Sequence, residues 1–416
     1  MSKEVIYLPI TDLLTDIIDN RGKSVPTVDL GFPLIATNCI KHSSIYPTFD
    51  KVRYVSEHTL KTWFRAHIKP NDILFVNKGT PGRVCLVPNP VTFCAAQDMM
   101  AFRSNPEKIN YKYLFAVLRS NEIQKKIENN HVGLVIPHFR KQELSSLLIP
   151  IKSKQEQAAI GNLYIALSEK IELNNRINAE LEAMAKTLYD YWFVQFDFPD
   201  PSTSSGQAGK PYKSSGGKMV WNEELKREVP EGWEDGELSD IANITMGQSP
   251  PGESYNDEGE GMIFFQGCTD FGNRYPTVRQ FTTQPTRYAK EGDILLSVRA
   301  PVGTLNIAKE NCCIGRGLAA LNSKDACIAY LFGVMINLKQ IFDRRNVDGT
   351  TFGSITKDDL FSLKVVKPPK EILKRFNEIM TPSFVKQNKI ELENQKLTEL
   401  RDWLLPMLMN GQVKVE

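Results

Sequence analysis

This chain lacks the cysteine pairs, nucleotide-binding loops and metal-ligand spacings that announce most enzymes. Its seven cysteines, an odd number with no CxxC spacing, exclude a disulfide framework and the common zinc sites. No GxxxxGK[ST] loop occurs, which speaks against an ATP-driven motor. A methyltransferase needs a Gly-rich turn after its first strand and an Asn/Asp-Pro-Pro-aromatic loop; Asn89-Pro90 and Asp200-Pro201 are the nearest dipeptides and lack the rest. The five histidines, His42, His58, His67, His131 and His138, show no HExxH spacing. No run approaches the roughly 18 apolar residues of a membrane span, and no basic start precedes an apolar run and a cleavage site, so the chain reads as cytoplasmic. Net charge is only +2; a nucleic-acid partner requires the Lys and Arg to gather on one face. The pattern is that of a binder without active-site chemistry.

What is present is a repeat. Residues 72–82 read DILFVNKGTPG and 293–303 read DILLSVRAPVG. Around them Gly22, Ser24 and Pro26 match Gly247, Ser249 and Pro251, and LIATNC at 34–39 faces IFFQGC at 263–268. Cys94 matches Cys313, Tyr113-Leu114-Phe115 matches Tyr330-Leu331-Phe332, Gly133 matches Gly349, and Lys141 matches Lys357. A period this long is a duplicated domain, so two similar binding surfaces are expected. Cys39 with Cys268 and Cys94 with Cys313 read as small core residues at equivalent positions, and adjacent Cys312 and Cys313 are poorly placed to chelate one metal.

Each copy shows short β-rich runs broken by turns and a few helical stretches, at 58–67 and 110–127 in the first and from 328 in the second. The fold class is α+β: two duplicated mixed domains, at 1–150 and 221–367, joined by two long helices that pair as an antiparallel coiled coil. The first helix, within 151–195, starts at a Ser153/Glu156 capping box. It places Ile160, Leu167, Leu181 and Leu188 at one seam position, and Leu163, Ile171, Ile177, Met184 and Tyr191 at or beside the other. Asn174 interrupts that seam, either to fix register or because the seam opens to solvent there. The second helix, within 368–416, sets Ile372, Phe376 and Ile379 on one face, meets Pro382, which should kink or restart it with Thr381 as a cap, and continues through Ile390, Leu397, Leu400, Trp403 and Leu404, with Glu393 at the Asn174 position. Between the halves, 196–220 is a linker; 12 of the 20 residues at 199–218 are Ser, Gly or Pro, the composition of a flexible tether.

The duplicated strand (Asn71 to Leu74, Gly292 to Leu295), the GRG at 315–317, VPEGWE at 229–234 and a heptad helix behind each copy together resemble the specificity subunit of a type I restriction-modification system, over essentially the whole chain. The resemblance implies two target-recognition domains, each reading half of a split DNA site. It also implies a helical spacer that docks two modification (methyltransferase) subunits, with restriction subunits joining them. S-adenosylmethionine, ATP and Mg are then expected on those partners, and this chain holds no cofactor and no catalytic residue. Helix length should set the gap between half-sites, because a helix rises about 1.5 Å per residue against about 3.4 Å per base pair.

Base edges are read by Arg, Lys, Asn, Gln or hydroxyl side chains on loops, and phosphates by basic neighbours. The first copy offers Asn38, Lys41, His42, Asn77, Lys78, Arg83, Gln97, His138, Arg140 and Lys141. The second offers Gln266, Arg274, Arg279, Arg287, Arg299, Arg316, Thr350 and Lys357. Lys78 and Arg299 follow the same strand and are expected in like positions; Gln97 and Arg316 align but differ in type, which is where unlike half-sites would be told apart. Two alternatives stay open: a two-domain protein-interaction scaffold without DNA binding, and an enzyme with a site between the halves that no motif reveals.

Overall fold

The computed structural model describes residues 6–20, 23–130, 137–201, 209–347 and 354–415. Gly22, Gly133, Gly349 and Thr350 lie outside them. The chain divides into two compact units, Met1–Arg176 with Leu392–Glu416, and Ile177–Glu391. Each unit holds one copy of the repeat and a portion of both long helices.

In the first unit the strands Leu14–Asp19, Met99–Ser104, Ile73–Val76 and Val84–Leu86 lie side by side in that order, all antiparallel. In the second, Ala242–Met246, Leu318–Ser323, Ile294–Ser297 and Leu305–Ile307 repeat the order. Every residue of Ile73–Val76 and Ile294–Ser297 is buried, which explains why the duplicated segments read as unbroken apolar runs rather than as alternation. A further pair of strands closes each copy, Ile6–Pro9 with Leu148–Ile151 and Glu234–Glu237 with Lys364–Lys367. The hairpin Met219–Asn222 with Arg227–Pro230 belongs to the second unit only, among the described residues.

A parallel pairing corrects one sequence match. Leu34 lies opposite Cys94, whereas Phe264 lies opposite Cys313. Leu34 is therefore equivalent to Phe264, not to Ile263, and Cys39 falls out of step with Cys268. Cys39 is buried and Cys268 only half-buried. Two apolar runs ending in cysteine can be slid by one residue without losing their likeness; strand register cannot, because side chains alternate faces. Cys94 and Cys313 remain equivalent and buried.

The stretch at 58–67 is helical only over Glu57–Thr62, where the Ser56 hydroxyl accepts from the Thr59 N–H at 3.1 Å. The stretch at 110–127 becomes two helices, Tyr111–Leu118 and Asn121–Asn130, and the second copy has one, Ile328–Val347.

The first long helix runs Lys154–Tyr189 and ends in a wider π turn, Asp190–Val194. Its start is the expected box: the Glu156 N–H donates to Ser153 Oγ (3.3 Å) and the Ser153 N–H to Glu156 Oε2 (3.0 Å). The second long helix is unbroken from Lys370 to Met409, so Pro382 does not restart it and Thr381 caps nothing. The Thr381 hydroxyl instead donates back to the Asn377 carbonyl at 2.7 Å. Proline costs a helix one N–H and a carbonyl clash, and burial of Phe376 and Met380 on one side and Gln387 and Ile390 on the other holds the helix through it.

The two helices pair antiparallel inside each unit. In the first, Ile160, Leu163 and Leu167 meet Leu404, Leu405 and Leu408; in the second, the rings of Trp192 and Phe193 lie 5.5 and 4.8 Å from Phe376. Asn174 is buried, and its amide donates to Glu393 Oε2 (2.8 Å) and Asn394 Oδ1 (2.9 Å) while Asn394 donates to Asn175 (2.9 Å). The open question about that seam position resolves to a satisfied polar contact. Five seam assignments fail: Ile379 is 52% exposed, Leu400 43%, Trp403 56%, Met184 65% and Tyr191 36%. A strict 3.5-residue repeat drifts off a 3.6-residue helix, so Met380, Leu405, Leu408 and Met409 are buried in their stead.

The described part of the supposed tether is packed. Phe198 stacks on Tyr212 (4.8 Å) and on Trp233 (4.9 Å), and buried Asp197 accepts from the Ser214 N–H (2.7 Å) and hydroxyl (2.6 Å). Aromatic burial outweighs the entropy that a Ser/Gly composition implies.

Candidate nucleic-acid interface

In both copies the segment after the duplicated strand hangs from the same backbone clasp. Gly82 N–H donates to Val76 O at 3.0 Å and Gly303 N–H to Ser297 O at 3.0 Å. Both glycines have positive φ, +93° and +90°. A Cβ on Gly82 would lie 2.9 Å from Gln124 Oε1, and one on Gly303 would lie 2.8 Å from the Phe342 side chain, so conformation and crowding both demand glycine. The returning chain ties on from the other side: Phe139 N–H to Asn77 O (2.8 Å) and Ile355 N–H to Val298 O (2.9 Å). Lys78 bridges to His138 and Arg299 to Ser354.

A third strand end joins each clasp. Asn77 N–H donates to Asp98 O (3.1 Å) and Val298 N–H to Gly317 O (2.9 Å); Ala96 N–H donates to Ile35 O (2.9 Å) and Gly315 N–H to Phe265 O (2.8 Å). Gln97 and Arg316 are thereby equivalent, as are Lys78 and Arg299. Lys78 is half-exposed and lies 3.9 Å from Asp98; Arg299 is exposed.

The remaining candidates separate by burial. Gln266 and Arg316 are exposed beside each other, and Arg287 is exposed with its carbonyl accepting from Ile314 N–H (2.9 Å). Asn38 donates its amide to the Asp50 carbonyl (2.8 Å), and Lys41 pairs with the Asp50 carboxylate, holding it below the usual range. Desolvation first, then the charges of Arg119, Arg83 and Arg401, hold the pKa of His42 below its ordinary value. The Asn77 amide meets His138 Nε2 at 3.3 Å, and the side-chain carbonyls of Asn77 and Gln97 are enclosed without a partner. Arg279 pairs with Asp270. Arg140 and Lys141 open a short 3-10 turn. Lys357 opens the short helix Lys357–Phe361 and folds its ammonium over Phe361, 5.2 Å from the ring centre.

Arg274 corrects an expectation: it is 4% exposed, donates through Nε to Asn388 Oδ1 (2.7 Å) and lies over Phe384 (5.0 Å). It borders a cavity of about 370 Å³ within the second unit and does not reach an outer face. Its burial by the second long helix is a long-range fact that no local pattern announces. Ser249, unremarked by sequence beyond its match to Ser24, sits between Gln266 and Arg316.

Burial pushes the thiols of Cys94 and Cys312 up to about 12 and that of Cys327 to about 11, leaving them inert as nucleophiles at neutral pH. Among the described residues, no three of His, Cys, Asp and Glu are grouped to hold a metal ion, and no helix is long and apolar enough to cross a membrane.

The family model described as "Type I restriction modification DNA specificity domain" matches residues 25–183 and 230–402. The chain is 30% identical over 405 residues to the putative type I restriction enzyme MjaX specificity subunit of Methanocaldococcus jannaschii, covering 93% of this chain and 88% of that one. It is 25% identical over 408 residues to the type I restriction enzyme HindI specificity subunit of Haemophilus influenzae, covering 83% and 87%. The crystal structure of the type I restriction-modification S subunit from M. genitalium superposes with a TM-score of 0.60 at 19% identity, over 97% of this chain and 96% of that one, a likeness of fold.

Proposed function

The chain belongs to the type I restriction-modification DNA specificity family, and from that premise we propose that each unit reads one half of a two-part duplex DNA site. The observation that carries this reading is the repeated clasp, which presents Lys78 and Arg299 at equivalent points while the neighbouring position differs, Gln97 in one copy and Arg316 in the other. Shared cations suit the phosphates that every site has, and unlike neighbours suit unlike base sequences.

In this reading the chain supplies sequence choice and no chemistry. Two modification subunits bring S-adenosylmethionine, and restriction subunits bring ATP and Mg. Large apolar side chains left exposed on the long helices support docking of such partners: Leu400 and Trp403 in the first unit, Met184 and Ile379 in the second. Helix length sets the number of base pairs between the half-sites.

The test is duplex binding by the complex with its modification subunits across a salt series. Lys78→Ala and Arg299→Ala should each flatten the slope of log K against log salt by about 0.9 while leaving the preferred sequence unchanged. Unaltered slopes in both variants would remove the clasp from the DNA contact.

A further inference from the structure

We infer that Arg316 reads a guanine in the half-site of the second unit and that Ser249 is the positioning residue that aims it; this rests on the DNA-reading role proposed above. A phosphate contact needs only a nearby charge, but a base contact needs a side chain held in place before the DNA arrives. Arg316 is held at both ends. Its backbone lies between Gly315 and Gly317, which press on the chain beside them: a Cβ on Gly315 would come within 2.8 Å of Gln266 Oε1, one on Gly317 within 2.7 Å of Gln266 O, and one on Gly247 within 2.1 Å of Gly315 O. Its side chain is fixed at Nε, which donates to Ser249 Oγ at 3.3 Å, and the same hydroxyl accepts from the Arg316 N–H at 3.3 Å. Ser249 is steadied in turn by the Gln266 amide, at 2.9 and 3.2 Å.

With Nε committed, the two Nη groups of this exposed residue are left as a forward fork. Two parallel donors of that spacing match the O6 and N7 acceptors that guanine shows in the major groove. Two other arginines of this unit are less suited: Arg279 is paired with Asp270 and Arg274 is buried. In the first unit Gln97 stands at the equivalent place with its side-chain carbonyl enclosed, so no guanidinium fork faces the first half-site there.

The experiment is methylome sequencing of cells carrying the complete complex with the wild-type chain, Arg316→Ala, Arg316→Lys or Ser249→Ala. Arg316→Ala should relax one G·C position in one half-site by roughly tenfold to a hundredfold, with the other half-site and the spacing intact. Arg316→Lys, which keeps the charge and loses the fork, should relax that position partly, and Ser249→Ala should relax it more weakly than Arg316→Ala. If every variant keeps the wild-type motif, with Arg316→Ala merely methylating less and binding with a flatter salt slope, Arg316 is a phosphate contact and the inference fails. Should Arg316→Ala abolish methylation altogether, Ser249→Ala decides: no change at that position overturns the proposal. A wild-type chain that yields no two-part motif would instead sink the reading on which it rests.

Discussion

In the first unit Asp72 is buried at the head of the duplicated strand, where it accepts from the Lys69 N–H (2.7 Å) and from Arg103 Nε and Nη2 (3.0 and 2.8 Å). In the second unit Asp293 accepts from the Lys290 N–H (2.8 Å) and from the Asn322 amide (2.7 Å). The turn is the same and the partner is not: Arg103 and Asn322 occupy equivalent places, opposite Asp16 and Asn243. The duplication thus preserves the aspartate that closes the backbone turn while the side chain that satisfies it is free to change. The reading position shows the same separation, with the clasp kept and Gln97 and Arg316 exchanged upon it.

If that contrast is physical, the two aspartates differ in what their loss costs. Asp72→Ala leaves Arg103, which is 22% exposed, with only Asp16 for a counter-charge, and should destabilise the first unit by about 2–4 kcal/mol. Asp293→Ala leaves the Lys290 N–H and the Asn322 amide short of a partner but strands no charge, and should cost about 1–2 kcal/mol. Hydrogen exchange at the amides of Ile73–Val76 and Ile294–Ser297 measures both; equal losses would break the comparison.

The helix pairs differ too. In the first unit the seam amides Asn174, Asn394 and Asn175 satisfy one another, with the buried Ser168 hydroxyl left without a partner, whereas in the second the Gln387 amide nitrogen, the Asn178 carbonyl and one Glu391 oxygen all have none. Asn174→Leu should cost about 1–3 kcal/mol, and Gln387→Leu should be neutral or stabilise by up to about 1 kcal/mol. Thermal unfolding of the intact chain, with exchange along each helix, ranks them; a Gln387→Leu loss as large as that of Asn174→Leu would show that the second seam is satisfied as well.

Much of this was legible in the residues because it is local. The Ser153/Glu156 start, the buried DILFV and DILLSV strands and the Cys94/Cys313 match follow from cap chemistry and period. The equivalence of Gln97 with Arg316 and of Lys78 with Arg299 also survived, since the clasp keeps its length. What escaped depends on distant parts of the chain. Arg274 reads as a loop cation until the second helix covers it, Pro382 reads as a break until buried neighbours span it, and the described part of the 196–220 linker reads as a tether until Phe198 finds Tyr212 and Trp233. Ser249 escaped because a serine announces nothing until its partners are in place.

The central claim, that each unit reads its own half of the site, is tested most directly by methylome sequencing of two complexes. One carries the wild-type chain and the other a chain whose first copy, residues 25–149, is replaced by the equivalent stretch of the Haemophilus influenzae relative. The account predicts a two-part motif in which the exchange alters one half alone, with the other half and the spacing unchanged. A single continuous motif, or an exchange that alters both halves together, would contradict it.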